Sequence, residues 1–279
     1  MVEIIAHRGF SGKYPENTLL AIRKAVELGV DGVEIDTWLS MDNNVVVMHD
    51  PRLDRTTNGK GRLLWKTLKE IKRYKTKERG QQVPVLEEVF PLIKRGITLN
   101  IEVKNMWTAR PVADRIKKHH MQGKVIISSC SVNALRIIRQ ELPSVRTAYL
   151  FYTSTHEEIG ILITALARTY FRIAQSIIIK NAQSVGASYV NLSYPLTTKK
   201  FVQRLHKKGF KVNVWAVNTP ALMRKMIRRG VDGIITNRPD KLKKALSRVP
   251  RSGRRRLSLK NLNHKIRLPR IRLRRKKSR

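Results

Sequence analysis

At 279 residues and 41% hydrophobic, the chain holds enough apolar material for one large core or two small ones. Its 58 lysines and arginines against 20 acids give a formal charge of +38, a field that selects anionic partners such as phosphodiesters, acidic lipid surfaces or nucleic acid. Cys130 is the only cysteine, which excludes an intrachain disulfide, and no basic-then-apolar leader precedes the strand-like Val2-Glu3-Ile4-Ile5-Ala6, so a cytoplasmic chain is expected rather than a secreted one.

From there on, short apolar runs alternate with helical periods. Runs at 3–6, 32–39, 98–104, 124–129, 146–151, 188–192, 211–217 and 233–236 read as strands. Segments of helical period lie between them at 18–28, 111–120, 132–142, 198–207 and 220–229. Gly29, Gly209 and Gly230 fall just past the last periodic residue of a helix, and Thr219-Pro220 sets a capping residue before a proline at the first helical position. Eight β-then-α units in this length match the count and size of a TIM (β/α)8 barrel, an α/β fold; a doubly wound open sheet is the competing arrangement. An extra short strand at 45–48 lies in an enlarged connection from Ser40 to about Ile97, a length usual for a functional insertion or lid. The most apolar window, 159–179, is interrupted by Arg168, Arg172 and Gln175, which favours a core or interfacial helix over a membrane span.

Ionisable residues close several of these apolar runs. Side chains two apart on a strand share a face, so Glu34 and Asp36 point together, as do Glu102 and Lys104. All four lie toward the C-terminal ends of their strands, where barrel enzymes build their sites. Three carboxylates from neighbouring strands make an oxygen-rich socket for one hard divalent cation, Mg²⁺ or Ca²⁺, and the lack of a Cys/His cluster argues against zinc. The plainer alternative is that these acids serve as structural partners for arginine and lysine. His7 closes the first strand and His49 the extra one, which makes them candidates for general acid and general base; the other five histidines read as surface residues. Arg8 and Lys104 are fixed cations suited to phosphate oxygens. Trp215, and Asn17 in Pro15-Glu16-Asn17-Thr18, are candidate pocket residues. No Walker glycine loop is present.

Taken together, His7-Arg8-Gly9, Pro15-Glu16-Asn17-Thr18, Val33-Glu34-Ile35-Asp36, Val47-Met48-His49-Asp50, Leu53-Asp54-Arg55-Thr56-Thr57-Asn58-Gly59, Pro84-Val85-Leu86-Glu87-Glu88, Ile101-Glu102-Val103-Lys104 and Gly233-Ile234-Ile235-Thr236-Asn237-Arg238-Pro239 resemble the glycerophosphodiester phosphodiesterase family over nearly all of residues 2 to 245. The resemblance implies a TIM barrel with one catalytic divalent cation held by Glu34, Asp36 and Glu102. It further implies His7 and His49 as the acid/base pair, and Arg8 and Lys104 as phosphate contacts. The reaction implied is hydrolysis of a glycerophosphodiester to sn-glycerol 3-phosphate and an alcohol, within glycerophospholipid metabolism. Asn237 stands where many relatives carry Asp, and the family's long insertion after His-Asp is shorter here. The apolar stretch from Tyr152 to Asn181 matches no family motif, which keeps lysophospholipids open as substrates beside deacylated diesters.

Eighteen of the basic residues and none of the acids lie after position 240. The chain is accordingly divided into a barrel, 1–245, and a polybasic tail, 246–279, expected to be disordered or to lie on a membrane surface. Residues 241–279 interleave Lys and Arg with aliphatics and carry no Phe, Trp or Tyr. That composition fits peripheral association with an anionic membrane better than nucleic acid, which lacks a stacking platform there. A barrel without catalysis, acting as a polyanion-binding protein, is the alternative from a different class. Oligomeric state is not legible.

Overall fold

The computed structural model describes residues 2–151 and 171–247. Nine strands follow in chain order: β1 (Glu3–His7), β2 (Gly32–Leu39), β3 (Val45–Val47), β4 (Thr98–Val103), β5 (Val125–Ser129), β6 (Arg146–Phe151), β7 (Tyr189–Ser193), β8 (Lys211–Trp215) and β9 (Gly233–Thr236). Most are Val/Ile-rich and buried on both faces, the signature of parallel strands covered by helices. All but β3 pair in parallel, and β1 hydrogen-bonds both β2 and β9, so the eight parallel strands close on themselves. The fold is a TIM barrel, and the open-sheet alternative falls because, among the described residues, no parallel strand is left at an edge. β3 folds back antiparallel on β2 through Thr37–Val47 and Leu39–Val45, which returns the chain to the mouth at His49.

Alternate residues divide between two environments. Outward side chains such as Val33, Ile35, Leu99, Ile101 and Val103 pack under the helices in the main core. Inward, Ile126, Ala148 and Tyr189 form a small apolar floor. Gly233 belongs to this inner layer: a Cβ there would lie 2.5 Å from Asn213 Oδ1 and 3.0 Å from Ile5 Cδ1, so only glycine lets the strands close at that point.

Helices start where a side chain can accept an orphan N–H. Thr18, Asn105, Ser131, Thr198 and Thr219 each cap the helix that follows. One sequence expectation is corrected. The helix after β4 spans Met106–Lys118 instead of beginning at Pro111. Proline removes one backbone hydrogen bond, but the Asn105 cap and the buried stripe of Thr108, Ala109, Val112, Ala113 and Ile116 outweigh that loss. The enlarged connection forms its own small core of Val46, Met48, Leu53, Leu63, Ile71 and Val83. Of the apolar window 159–179, its first part lies outside the described residues, while 171–179 belongs to the helix Phe171–Ser184. Residues 248–279 of the tail also lie outside them.

Candidate active site

Strand register brings the three acids together. Asp36 is the cross-strand neighbour of Glu102, and Glu34 that of His7. One carboxylate oxygen from each of Glu34, Asp36 and Glu102 lies within 4.8 Å of the others. Arg8 follows β1 with φ 55°, which turns its N–H onto Glu34 Oε2 at 2.9 Å. Its guanidinium lies 3.3 Å from Asp36 and 3.1 Å from Glu16. Lys104 Nζ sits 2.6 Å from both Asp36 Oδ1 and Glu102 Oε1. Socket and ion-pair readings therefore describe one cluster, in which Lys104 balances part of the acidic charge.

The balance is incomplete. Burial, with Asp36 and Glu102 alongside, pushes the Glu34 carboxyl well above the ordinary carboxylate range. Burial also acts against ionised Asp36, but Lys104, His49 and Arg8 outweigh it and hold Asp36 well below that range. Three hard oxygen donors with one carboxyl short of positive charge fit a divalent cation, and this acidic triad can hold a metal ion.

The two imidazoles are each fixed by one hydrogen bond. His7 Nδ1 donates to Asn237 Oδ1 at 2.6 Å, leaving Nε2 toward Glu34 at 3.8 Å. Burial and the adjacent Arg8 push the His7 imidazole down to about 3, so it is neutral at working pH. His49 Nδ1 lies 2.6 Å from Asp50 Oδ1, and the Trp38 indole N–H donates to the His49 carbonyl at 2.8 Å. Asp50 in turn is held by Arg55 Nε at 2.6 Å, and Arg55 Nη2 reaches Glu16 at 2.6 Å. Despite burial, the His49 and Arg55 hydrogen bonds keep Asp50 far below the ordinary carboxylate range. One chain of charges thus runs from His49 through Asp50, Arg55, Glu16 and Arg8 to Asp36.

These groups surround a cavity of about 280 Å³ at the C-terminal ends of the strands. His7, Arg8, Glu34, His49, Glu102, Lys104 and Trp215 all line it. Asn17 does not: it is buried behind the wall, donating from Nδ2 to Asp36 Oδ2 at 2.8 Å. Its side chain thus supports Asp36, and its backbone takes φ 56°. Glu16, Asp50 and Arg55 went unassigned as site residues, although each stands inside a motif quoted above. Trp38 carried a signal too, two residues beyond Asp36 on the same strand.

Gly9 has φ 76°, and a Cβ would meet the Ala21 and Ile22 backbone at 2.6–2.7 Å. Gly9→Ala is expected to cost about 2–4 kcal/mol, read by urea unfolding, because backbone on both sides must shift.

An eight-stranded barrel with acids, imidazoles and fixed cations at its mouth defines a hydrolase of phosphoric diesters. The glycerophosphoryl diester phosphodiesterase family model matches residues 7–241, and the chain belongs to that family. A glycerophosphodiester phosphodiesterase of Caldanaerobacter subterraneus is 35% identical over 251 residues, covering 86% of this chain and 95% of that one. One from Bacillus altitudinis is 32% identical, covering 86% and 96%. Among solved structures, a glycerophosphodiester phosphodiesterase from Thermotoga maritima is 28% identical with a TM-score of 0.69, covering 88% of this chain and 98% of that one. An Oleispira antarctica phosphodiesterase in complex with the product sn-glycerol 3-phosphate shares the fold at 24% identity, with a TM-score of 0.75 and coverage of 88% and 96%.

Proposed function

We propose that this cavity hydrolyses glycerophosphodiesters to sn-glycerol 3-phosphate and an alcohol. Glu34, Asp36 and Glu102 hold one divalent cation, Mg²⁺ or Ca²⁺, which when bound supplies Lewis-acid stabilisation of phosphoryl oxygens. Neutral His7, with Nε2 free of its Asn237 bond, takes a proton from the attacking water as its oxygen joins phosphorus and the bond to the alcohol oxygen breaks. His49, oriented by Asp50, gives a proton to the leaving alcohol oxygen. Arg8 and Lys104 contact the phosphate. The observation that carries the reading is the convergence of both imidazoles, Glu34 and Glu102 on one cavity, with the buried Asp36 carboxylate within 4.8 Å of both acids behind its wall. The product-bound Oleispira antarctica relative supports the substrate class. A volume of about 280 Å³, at or below the small end of ligand sites, supports deacylated headgroup diesters over acyl-bearing lysophospholipids. Chemistry is assigned to the barrel, 1–245, and not to the basic tail, 246–279, since the family match ends at 241.

The purified chain with Mg²⁺ or Ca²⁺ is expected to release glycerol 3-phosphate from glycerophosphocholine or glycerophosphoethanolamine, and EDTA to stop it. Turnover of lysophosphatidylcholine alone would move the substrate to the lysophospholipids. No turnover on either class would return the chain to a polyanion-binding role.

A further inference from the structure

Residues 171–231 contain twelve lysines and arginines and no aspartate or glutamate. They build three successive outer helices, Phe171–Ser184, Lys199–Lys207 and Pro220–Arg229. Arg204 donates to Gln175 Oε1 at 3.0 Å and Arg229 to the Thr197 carbonyl, which ties neighbouring elements of this sector side by side. All twelve cations but Arg229 are exposed. Among the described residues, none of the twelve lies within 4.0 Å of a carboxylate. Elsewhere among the described residues some cations are paired: Lys24, Lys72, Lys117 and Arg238 each sit 2.6–2.8 Å from an acid. The next acid along the chain, Asp232, is engaged by His206 at 2.7 Å and by the Val212 N–H.

An unpaired single-sign face repels itself and attracts an anionic surface. Its composition selects the kind. Ile173 and Ile177, one helical turn apart, are 61% and 46% exposed between Arg172 and Lys180. Exposed aliphatics among cations match a helix lying in a lipid interface. An open groove lined by Ser176, Ile179, Lys180, Gln183, Arg204 and Lys208 gathers three of these cations beside Ile179. Base stacking has little to work with, since Tyr194 is the one exposed Phe, Tyr or Trp among the described side chains of this face.

We propose that this acid-free face docks the chain on an anionic phospholipid bilayer, cations on the lipid phosphates and Ile173 and Ile177 in the headgroup layer. The docking belongs to the barrel and is separate from the polybasic tail.

The test is co-sedimentation of the full chain with phosphatidylcholine vesicles, with and without about a third phosphatidylserine. Each cation at such a surface is worth about a fivefold change in partitioning. The combined variant Lys180→Glu/Arg204→Glu/Lys208→Glu is therefore expected to lose at least about fiftyfold in binding to the anionic vesicles. Ile173→Ser/Ile177→Ser is expected to lose several-fold on the same vesicles. Both should keep the parent's circular dichroism and its hydrolysis of soluble glycerophosphocholine. Should the reversed chain fail to fold, glutamine at the same three positions reads the same loss at smaller size. Binding within twofold of the parent in the charge variants overturns the proposal, as does preference for duplex DNA over vesicles at equal salt. A chain that binds vesicles but turns over nothing would sink the assigned reaction and leave the docking standing.

Discussion

Glu34→Gln is expected to lower turnover about a thousandfold while leaving the ion-free protein as stable as the parent or more so. Glu34 is crowded: it is buried beside Asp36 and Glu102 and is driven toward its neutral form when no divalent ion is present. A glutamine side chain has nearly the same shape, and its carbonyl oxygen can still accept the Arg8 N–H that now meets Oε2 at 2.9 Å. What glutamine cannot supply is the third negative oxygen of a hard-cation sphere. For the parent, ion at a hundredfold excess over its Kd adds about 2.7 kcal/mol, or roughly 5 °C in Tm at this chain length. In the variant most of that gain should vanish. Thermal scans with and without Mg²⁺ or Ca²⁺ read this independently of catalysis. An undiminished ion-induced shift in Glu34→Gln would falsify the assignment of the triad as the ion's ligands.

How much of this was legible beforehand follows from where the signals sit. Glu34, Asp36 and Glu102 stand out because charge inside Val/Ile runs is anomalous, and the two-residue strand period says which of them face together. The barrel was legible for the same reason, since eight apolar runs separated by capped helical periods leave few other closures. Asp50, Arg55 and Glu16 were harder: Arg55 and Glu16 are 39 positions apart, on loops whose path no periodicity sets. Asn100 and Asn191 also line the cavity, yet a neutral amide on a strand looks like ordinary polar alternation. Asn17 was visible as part of a motif, but only its left-handed backbone reveals that it braces Asp36 from behind.

Glu16 and Arg55 explain why the enlarged connection is built as it is. Its own apolar core fixes the path of residues 45–83, and that path delivers Arg55 to a point between Glu16, on the loop after β1, and Asp50, after β3. Two loops far apart in sequence thereby share one guanidinium, and the imidazole beside Asp50 inherits a fixed orientation. An exposed ion pair alone contributes little to stability, so the value of this one lies in alignment.

The second large effect concerns the imidazoles, whose surroundings differ in sign. His7 is kept unprotonated down to about pH 3 by burial and by the adjacent Arg8, although Glu34 lies 3.8 Å from Nε2. A divalent ion held by Glu34 would push it in the same direction. His7 is thus equipped to accept a proton at neutral pH and not to donate one. His49 faces the Asp50 carboxylate, which fixes Nδ1 as the donor and turns Nε2 to the cavity side. His49→Ala is expected to lower kcat about 10²–10⁴-fold, with the smaller losses on substrates whose leaving alcohol is acidic and needs no proton. A p-nitrophenyl diester supplies that contrast: its turnover by His49→Ala should recover toward the parent, whereas His7→Ala should stay slow on both substrates. Asp50→Asn should cost about 10–100-fold, since the imidazole loses its anionic support but keeps its place. In a titration followed by imidazole nitrogen shifts, His7 should show no protonation step between pH 5 and 8. A His7 step inside that window, or equal defects of both histidine variants on the p-nitrophenyl diester, would reverse or remove the division of roles.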